Sequence, residues 1–208
     1  MNLCEVYVGR PGTGKSTLAA RRCRELHPRA YVLVHNAGGG FPSAEAGFVR
    51  EHATIEDCKR SLAGSGGTAI HVVNDRACSP TVFLRLAWTL SETSEARGFD
   101  FPCVAVFDES VMLLWAEDPR EVRIFRGLLV ETVVRRRHIG CGVGLIMTTQ
   151  HSNLLSYHAL EQASRIVMFQ TTGGYCIQKL RMAGVPEEML ERLPGLSLDR
   201  HEHMEWAP

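Results

Sequence analysis

Residues 9–17 read GRPGTGKST, directly behind the apolar run LCEVYV at 3–8. Gly9, Gly14, Lys15 and Ser16 match the GxxxxGK[ST] pattern in the setting that it requires, with a strand before it and a helix after it. In such a loop the glycines let backbone N–H groups turn inward around phosphate oxygens, and the following helix N-terminus adds partial positive charge. The expected nucleotide contacts are therefore Gly9, Arg10, Pro11, Gly12, Thr13, Gly14, Lys15, Ser16 and Thr17. Lys15 is expected to reach the β- and γ-phosphates, Ser16 to ligate magnesium, and Thr17 to add a hydroxyl near the α-phosphate. The competing reading is a glycine-rich turn with an incidental lysine. The loop alone leaves the use of the nucleotide open, because kinases, switches and motors all carry it.

Outward from the loop, short apolar runs alternate with longer amphipathic stretches. That alternation is the pattern of an α/β protein whose parallel sheet is covered on both faces. The expected strands are 3–8, 30–35, 69–73, 103–107, 142–148 and 165–170. In SPTVFLRLAWTL, Ser79 is placed to cap a helix and Pro80 to occupy its first turn, with Val82, Phe83, Leu86, Ala87 and Leu90 on one face. In DPREVRIFRGLLVETVVRRRHIG, Asp118, Pro119 and Glu121 resemble a capping arrangement and Gly140 supplies the stop. The stretch HNAGGGFPSAEAGF at 35–48 and the GSGG at 64–67 are the flexible places, and neither is long enough to be a linker. A single domain over 1–208 is expected, with a core over 1–195 and a tail over 196–208 whose shape the pattern does not give.

The chain has 208 residues, 45% of them apolar and 22% charged, as in an ordinary globular protein. Its formal net charge is zero, so no overall field draws it to nucleic acid or membrane. Its basic residues are three Lys and twenty Arg, as a GC-rich genome or a need for bidentate phosphate contacts would produce. The cysteines, at 4, 23, 58, 78, 103, 141 and 176, form no CxxC pair and are odd in number. They point to a reducing compartment and away from a disulfide framework or a zinc site. No apolar stretch reaches the length of a membrane span, and the N-terminus runs straight into a strand, so a cytoplasmic protein is expected.

CVAVFDE at 103–109 supplies the second half of a nucleotide site. Its apolar residues deliver Asp108 and Glu109 to the carboxyl end of a buried strand, where open α/β sheets place their ligands. Asp108 is expected to hold the magnesium ion. Glu109 is the informative residue, because phosphoryl transfer to water needs a group that orients that water, and a small-molecule kinase has no use for one. VGLIMTTQ at 143–150 is another apolar strand, ending in Thr148, Thr149 and Gln150. As a parallel neighbour of the Asp108 strand it would bring Gln150 near the γ-phosphate.

The series formed by Gly9–Thr17, VAVFDE at 104–109, RHIGCGVGLIMTTQ at 137–150 and ASRIVMFQTTGGYCIQKLRMAGV at 163–185 resembles the FtsK/HerA superfamily of P-loop ATPases. The resemblance includes the small genome-packaging ATPases of membrane-containing icosahedral viruses, and it spans roughly residues 1–195. Two positions depart from the family pattern: His151 and Ser152 follow Gln150 where Arg-Pro is usual, and His35 and Asn36 stand where an acidic residue is usual.

The resemblance implies a P-loop NTPase of the additional-strand (ASCE, RecA-like) type, a three-layer sandwich with a mostly parallel central sheet. It also implies an ATP- and magnesium-dependent motor that pumps DNA as a homo-oligomeric ring, usually a hexamer, with a capsid vertex or portal protein as a further partner. The catalytic set becomes Lys15, Glu109, Gln150 and an arginine acting in trans from the next subunit. Arg137 holds the family's Arg-x-x-Gly position at the end of the Arg135–Arg137 run, and a solvated basic helix terminus is the equal alternative. Arg165 is a second candidate, read first as structural.

Contacts to DNA are expected on backbone phosphates without sequence preference, and NAGGGFP at 36–42, Arg120 and Arg123 are candidates against a plain surface loop. His201 and His203 have a spacing that suits a metal, though a solvated tail is the simpler reading. Three other functions stay in view: a nucleotide or small-molecule kinase, an assembly ATPase resembling zonula occludens toxin of filamentous phages, and a binding-only module.

Overall fold

The computed structural model describes residues 3–64, 69–96, 103–109, 119–139, 142–150 and 160–207, with the side chains at 64, 94–96 and 133–139 outside that description. Every strand expected from the apolar runs is present: β1 (Cys4–Val8), β2 (Tyr31–His35), β4 (Ile70–Val73), β5 (Cys103–Phe107), β6 (Gly144–Thr149) and β7 (Arg165–Phe169). Two more strands, β3 (Val49–His52) and β8 (His203–Trp206), lie where the sequence pattern is silent. The helices are α1 (Lys15–Leu26), α2 (Ser43–Ala46), α3 (Ile55–Gly64), α4 (Pro80–Ala96), α5 (Pro119–Ile139), α6 (Gly174–Met182) and α7 (Glu187–Arg192).

The strands form one eight-stranded sheet in the order β3-β4-β2-β5-β6-β1-β7-β8. All pairings are parallel except that of β7 with β8. Side-chain alternation explains why the central strands read as continuous apolar runs. Cys4, Val6 and Val8 of β1 join one buried cluster with Phe83, Leu84 and Ala87 of α4, while Tyr7 joins another with Ala19, Ala20 and Cys23 of α1. Both faces of the sheet are thus covered, giving three layers, and each fully buried large aliphatic or aromatic side chain stabilises by about 1.5–3 kcal/mol.

Aromatic edge-to-face packing fixes the strand that carries the acidic pair. Phe107, the last residue of β5, meets Phe83 of α4 at a centroid distance of 5.4 Å and Phe125 of α5 at 5.5 Å. Such pairs are worth about 0.5–1.5 kcal/mol each beyond their buried area. Trp88 Nε1 donates to Thr132 Oγ1 at 2.9 Å and ties the same two helices together. Ser79 caps α4 as expected, accepting from the Thr81 N–H at 3.2 Å. Glu121 is used differently from the expected local cap on α5: it accepts a hydrogen bond from the Ser79 hydroxyl and links the starts of α4 and α5. Asp118 and Gly140 lie outside the described residues.

A buried ion network closes the other side of the sheet. Glu5 of β1 is 2% exposed and takes Arg22 of α1 at 2.9 Å, Arg165 of β7 at 3.6 Å and the Tyr7 hydroxyl at 2.7 Å. Burial beside the Glu5 carboxylate drives the Tyr7 pKa far above its usual value. Arg165 also donates to Glu205 of β8 from Nε at 3.1 Å, so this arginine joins three strands. No helix among the described residues is long and apolar enough to cross a membrane.

Candidate nucleotide site

The loop between β1 and α1 begins under the ends of two neighbouring strands. Gly9 N–H donates to the Thr149 carbonyl at 3.2 Å, and Arg10 N–H donates to the Gln170 carbonyl at 3.0 Å. Gly9 has no room for a side chain, since a Cβ there would stand 2.5 Å from Phe169 Cβ. Gly14 ends the loop at φ 91°, a left-handed conformation open to glycine at little cost, and α1 starts at the next residue. No side chain caps α1 and its first turn has no acidic residue, so its leading N–H groups are left for an anion.

Lys15 is buried, with its ammonium folded onto the Arg10 carbonyl at 2.8 Å, and Thr13 Oγ1 donates to the same carbonyl at 2.8 Å. Burial pulls the Lys15 pKa down to about 8, against the opposing pull of Glu109 and Asp108. Ser16 and Thr17 follow in the first turn of α1, both half-buried.

Strand order brings the distant motifs to this loop. β6 lies between β5 and β1, so the tips of all three strands meet at one edge of the sheet. Asp108 Oδ1 accepts from Ser16 Oγ at 2.8 Å and from Thr148 Oγ1 at 2.8 Å. Thr148 Oγ1 in turn accepts the Glu109 N–H at 2.7 Å, so one hydroxyl sets both acidic residues. Glu109 has φ 54°, which is uncommon for a residue with a side chain and is held here by that contact. Gln150 Nε2 donates to Glu109 Oε1 at 2.8 Å. The other Glu109 oxygen faces Gly38, where a Cβ would lie 3.4 Å away.

Asp108 Oδ2 is buried and has no hydrogen-bond partner among the described residues. Burial raises the Asp108 pKa, against the hydrogen bonds from Thr148 and Ser16 that favour the charged form. A buried carboxylate oxygen without a partner is costly. Beside the Ser16 hydroxyl it is the oxygen-donor set that suits magnesium bound with a nucleotide phosphate. The residues present therefore fit both the triphosphate and the ion.

The structure thus brings Gly9, Arg10, Pro11, Gly12, Thr13, Gly14, Lys15, Ser16 and Thr17 together with Asp108, Glu109 and Gln150. The backbone of Arg137 lies in the last turns of α5, and its side chain, with those of Arg135 and Arg136, is outside the described residues; so are His151 and Ser152.

His35 and Asn36 serve the scaffold. His35 is buried with Nε2 3.0 Å from the Cys78 carbonyl, and Asn36 bonds Asn74 and the Phe41 N–H. Beyond Glu109 a cleft of about 490 Å³ opens between Gly38, Arg76, Ser79 and Glu121, so part of the glycine-rich stretch at 36–42 adjoins the site.

One neighbour of the loop escapes any motif reading. His201, in the turn before β8, puts its ring 3.0–3.1 Å from the position of a Gly14 Cβ. Its backbone sits at φ 50°, and its N–H donates to the Leu198 carbonyl at 3.0 Å. The only sequence signal is a pair of histidines in a tail of unread shape. His203 instead lies on β8, 5.2 Å from the Phe169 ring and 3.4 Å from Glu205.

No protein-family model matches the sequence, and no curated protein matches it. Solved structures do match its fold. The genome packaging NTPase B204 from Sulfolobus turreted icosahedral virus 2, in complex with AMPPCP, superposes with a TM-score of 0.64 at 18% identity, covering 100% of this chain and 98% of the other. B204, the DNA-packaging ATPase from Sulfolobus Turreted Icosahedral Virus, gives 0.63 at 21% identity over 100% and 99%. The pCW3 conjugation coupling protein TcpA with ATPgS gives 0.52 at 14% identity over 89% of this chain and 55% of the other. At these identities the likeness establishes the fold, which is the α/β fold of a P-loop NTPase expected from the order of the motifs.

Proposed function

We propose that this chain is a P-loop ATPase that couples ATP hydrolysis to DNA translocation. In this reading it is a viral genome-packaging ATPase, working as a single domain in a homo-oligomeric ring, in a cytoplasm or at a virion vertex. The observation that carries the reading is the Glu109 carboxylate, held by Gln150 at 2.8 Å next to an aspartate that is bonded to Ser16 of the phosphate loop. A carboxylate beside the aspartate that would hold the ion is placed to orient a water and take up its proton, as phosphoryl transfer to water needs. The full-length likeness in fold to a packaging NTPase supports the DNA-moving half of the reading.

In this mechanism Lys15 exchanges the Arg10 carbonyl for the β- and γ-phosphates of ATP. The N–H groups of the loop and of the first turn of α1 hold the remaining phosphate oxygens. Ser16 and Asp108 would hold magnesium, which would supply positive charge against the phosphate oxygens. Glu109 orients the attacking water and takes up its proton on the carboxylate. Gln150 keeps that carboxylate in place and adjoins the γ-phosphate. An arginine from the next subunit completes the site, with Arg137 the candidate by its place at the end of α5. Contacts to DNA are to backbone phosphates, without sequence preference.

The test is ATP turnover with and without DNA, alongside the oligomeric mass with ATP bound. Stimulation by DNA of any sequence, together with a ring mass, is expected. Transfer of the γ-phosphate to a nucleoside or metabolite, with turnover indifferent to DNA, would make the protein a kinase.

A further inference from the structure

A second constellation lies at the far edge of the sheet. β3 is the edge strand beside β4, and α3 packs on both. Arg50 is paired in register with His71, so His52 and His71 share one face of adjacent strands, a diagonal step apart. Cys58 reaches the same layer from α3. His52 Nε2 lies 3.0 Å from His71 Nδ1. The ring planes differ by 6° and the centroids are 5.1 Å apart. With nitrogens that close and centroids that far apart, the rings meet almost edge to edge and share one proton.

His71 is 0% exposed and its Nε2 has no partner among the described residues. Cys58 is equally buried, and one ligand atom from each of the three residues lies within 4.8 Å of the others.

We propose that His52, Cys58 and His71 form a buried site for one divalent d-block cation of the zinc class. Two imidazoles and a thiolate are the donors that zinc and cobalt favour, and a set without oxygen atoms turns magnesium away. The sequence hides the site because its ligands come from a strand, a helix and another strand, with none of the short spacings that mark a zinc motif. Zinc–nitrogen bonds of about 2.0–2.1 Å and zinc–sulfur bonds of about 2.3 Å place donors roughly 3.3–3.8 Å apart, so the cluster closes by about 1 Å.

Burial keeps both imidazoles neutral, lowering the His52 pKa and bringing that of His71 down to about 4, and it pushes the Cys58 thiol up to about 12. Binding through His52 Nε2 and His71 Nδ1 sends the thiol proton to solvent and moves the one proton between the rings to the far nitrogen of the imidazole that carried it. It gives up the His52–His71 hydrogen bond and forms two metal–nitrogen bonds and one metal–sulfur bond. His52, 8% exposed, marks the side from which the ion enters. The bound ion ties the edge strand to α3, which is a structural role separate from the phosphate site.

The experiment titrates the metal-stripped full chain with cobalt(II) alone. One cobalt per chain is expected, with the visible bands of tetrahedral coordination, a water taking the fourth position beside the three protein ligands, and a thiolate-to-cobalt charge-transfer band. Zinc displaces it stoichiometrically, magnesium does not, and added zinc raises Tm. Cys58→Ala keeps a small apolar group in the core, and His52→Gln alters only the rim; each weakens cobalt by roughly 100-fold, with folding followed by circular dichroism. The proposal is overturned if the wild-type chain gives no thiolate band, or if either folded variant binds cobalt as tightly as wild type.

Discussion

Gln150 donates its side-chain amide to Glu109 Oε1 at 2.8 Å, joining the tips of β6 and β5. The other carboxylate oxygen faces Gly38, so this amide is what holds the group in place. Gln150→Ala frees it to rotate, and a misplacement of about 1 Å in a reacting group costs on the order of 100-fold. The expected result is a kcat lowered by about that factor with KM for ATP within about threefold of wild type. A variant that raises KM and leaves kcat alone would assign Gln150 to binding instead.

Glu109→Gln keeps the size and the hydrogen-bonding reach of the side chain but removes its charge and its ability to take a proton. ATP should still bind, because Lys15, Ser16 and Asp108 are untouched. Turnover should fall by about 10²–10⁴-fold, the range of a lost general base. Nucleotide binding by fluorescence and single-turnover hydrolysis separate the two effects, and near-wild-type turnover would remove Glu109 from the reaction.

Lys15 makes nucleotide binding depend on pH. Without nucleotide its pKa is brought down to about 8 by burial. Triphosphate charge beside the ammonium favours the protonated form and raises that pKa. The bound state therefore holds more protons than the free state above pH 8, so affinity falls as pH rises through the free pKa, by up to about tenfold per pH unit. Calorimetry at pH 8.5 in buffers of different ionisation enthalpy should register proton uptake. Lys15→Arg, which stays charged, should lose that uptake whatever affinity it retains.

The sequence exposes the strands that are buried on both faces and conceals those at the edges. β1, β5 and β6 read as continuous apolar runs because helices cover the sheet above and below them. β3, with the sequence VREH, leaves Arg50 and Glu51 in solvent, and β8, with HMEW, exposes His203 and Glu205, so neither has an apolar run to display. The meeting of Ser16 with Asp108 was legible because both motifs sit at strand ends of one parallel sheet. That Thr148 sets both acidic residues was not, since it depends on β6 lying beside β5. The meeting of His52, Cys58 and His71 and the contact of His201 with Gly14 are likewise products of tertiary placement alone.

Gly9→Ala tests the closeness of loop and sheet. The new methyl would stand 2.5 Å from Phe169 Cβ and 3.3 Å from Phe169 Cα, so the clash is with the body of β7 and no flexible side-chain end can yield. Overpacking of this kind costs about 1–3 kcal/mol. For a chain of this length each kcal/mol lowers Tm by roughly 2–4 °C. Urea unfolding should show the loss with an unchanged m-value; full stability would mean that the loop shifts freely.

His201 offers a separation of ring from backbone. Its imidazole lies against Gly14, and its backbone holds φ 50°, a conformation that costs a residue with a side chain more than it costs glycine. His201→Ala removes the ring and keeps the strain, whereas His201→Gly removes both. If the ring borders the nucleotide, both variants raise the Kd for ATP by the value of one hydrogen bond, about 2–12-fold. They leave kcat unchanged, because β8 stands at the edge of the sheet, four strands from the β5 that carries Glu109. Only His201→Gly should gain stability, since relief of backbone strain needs the Cβ gone. Equal ATP affinity in all three proteins would restrict His201 to packing, and a kcat that falls in step with affinity would place the ring closer to the chemistry than Gly14.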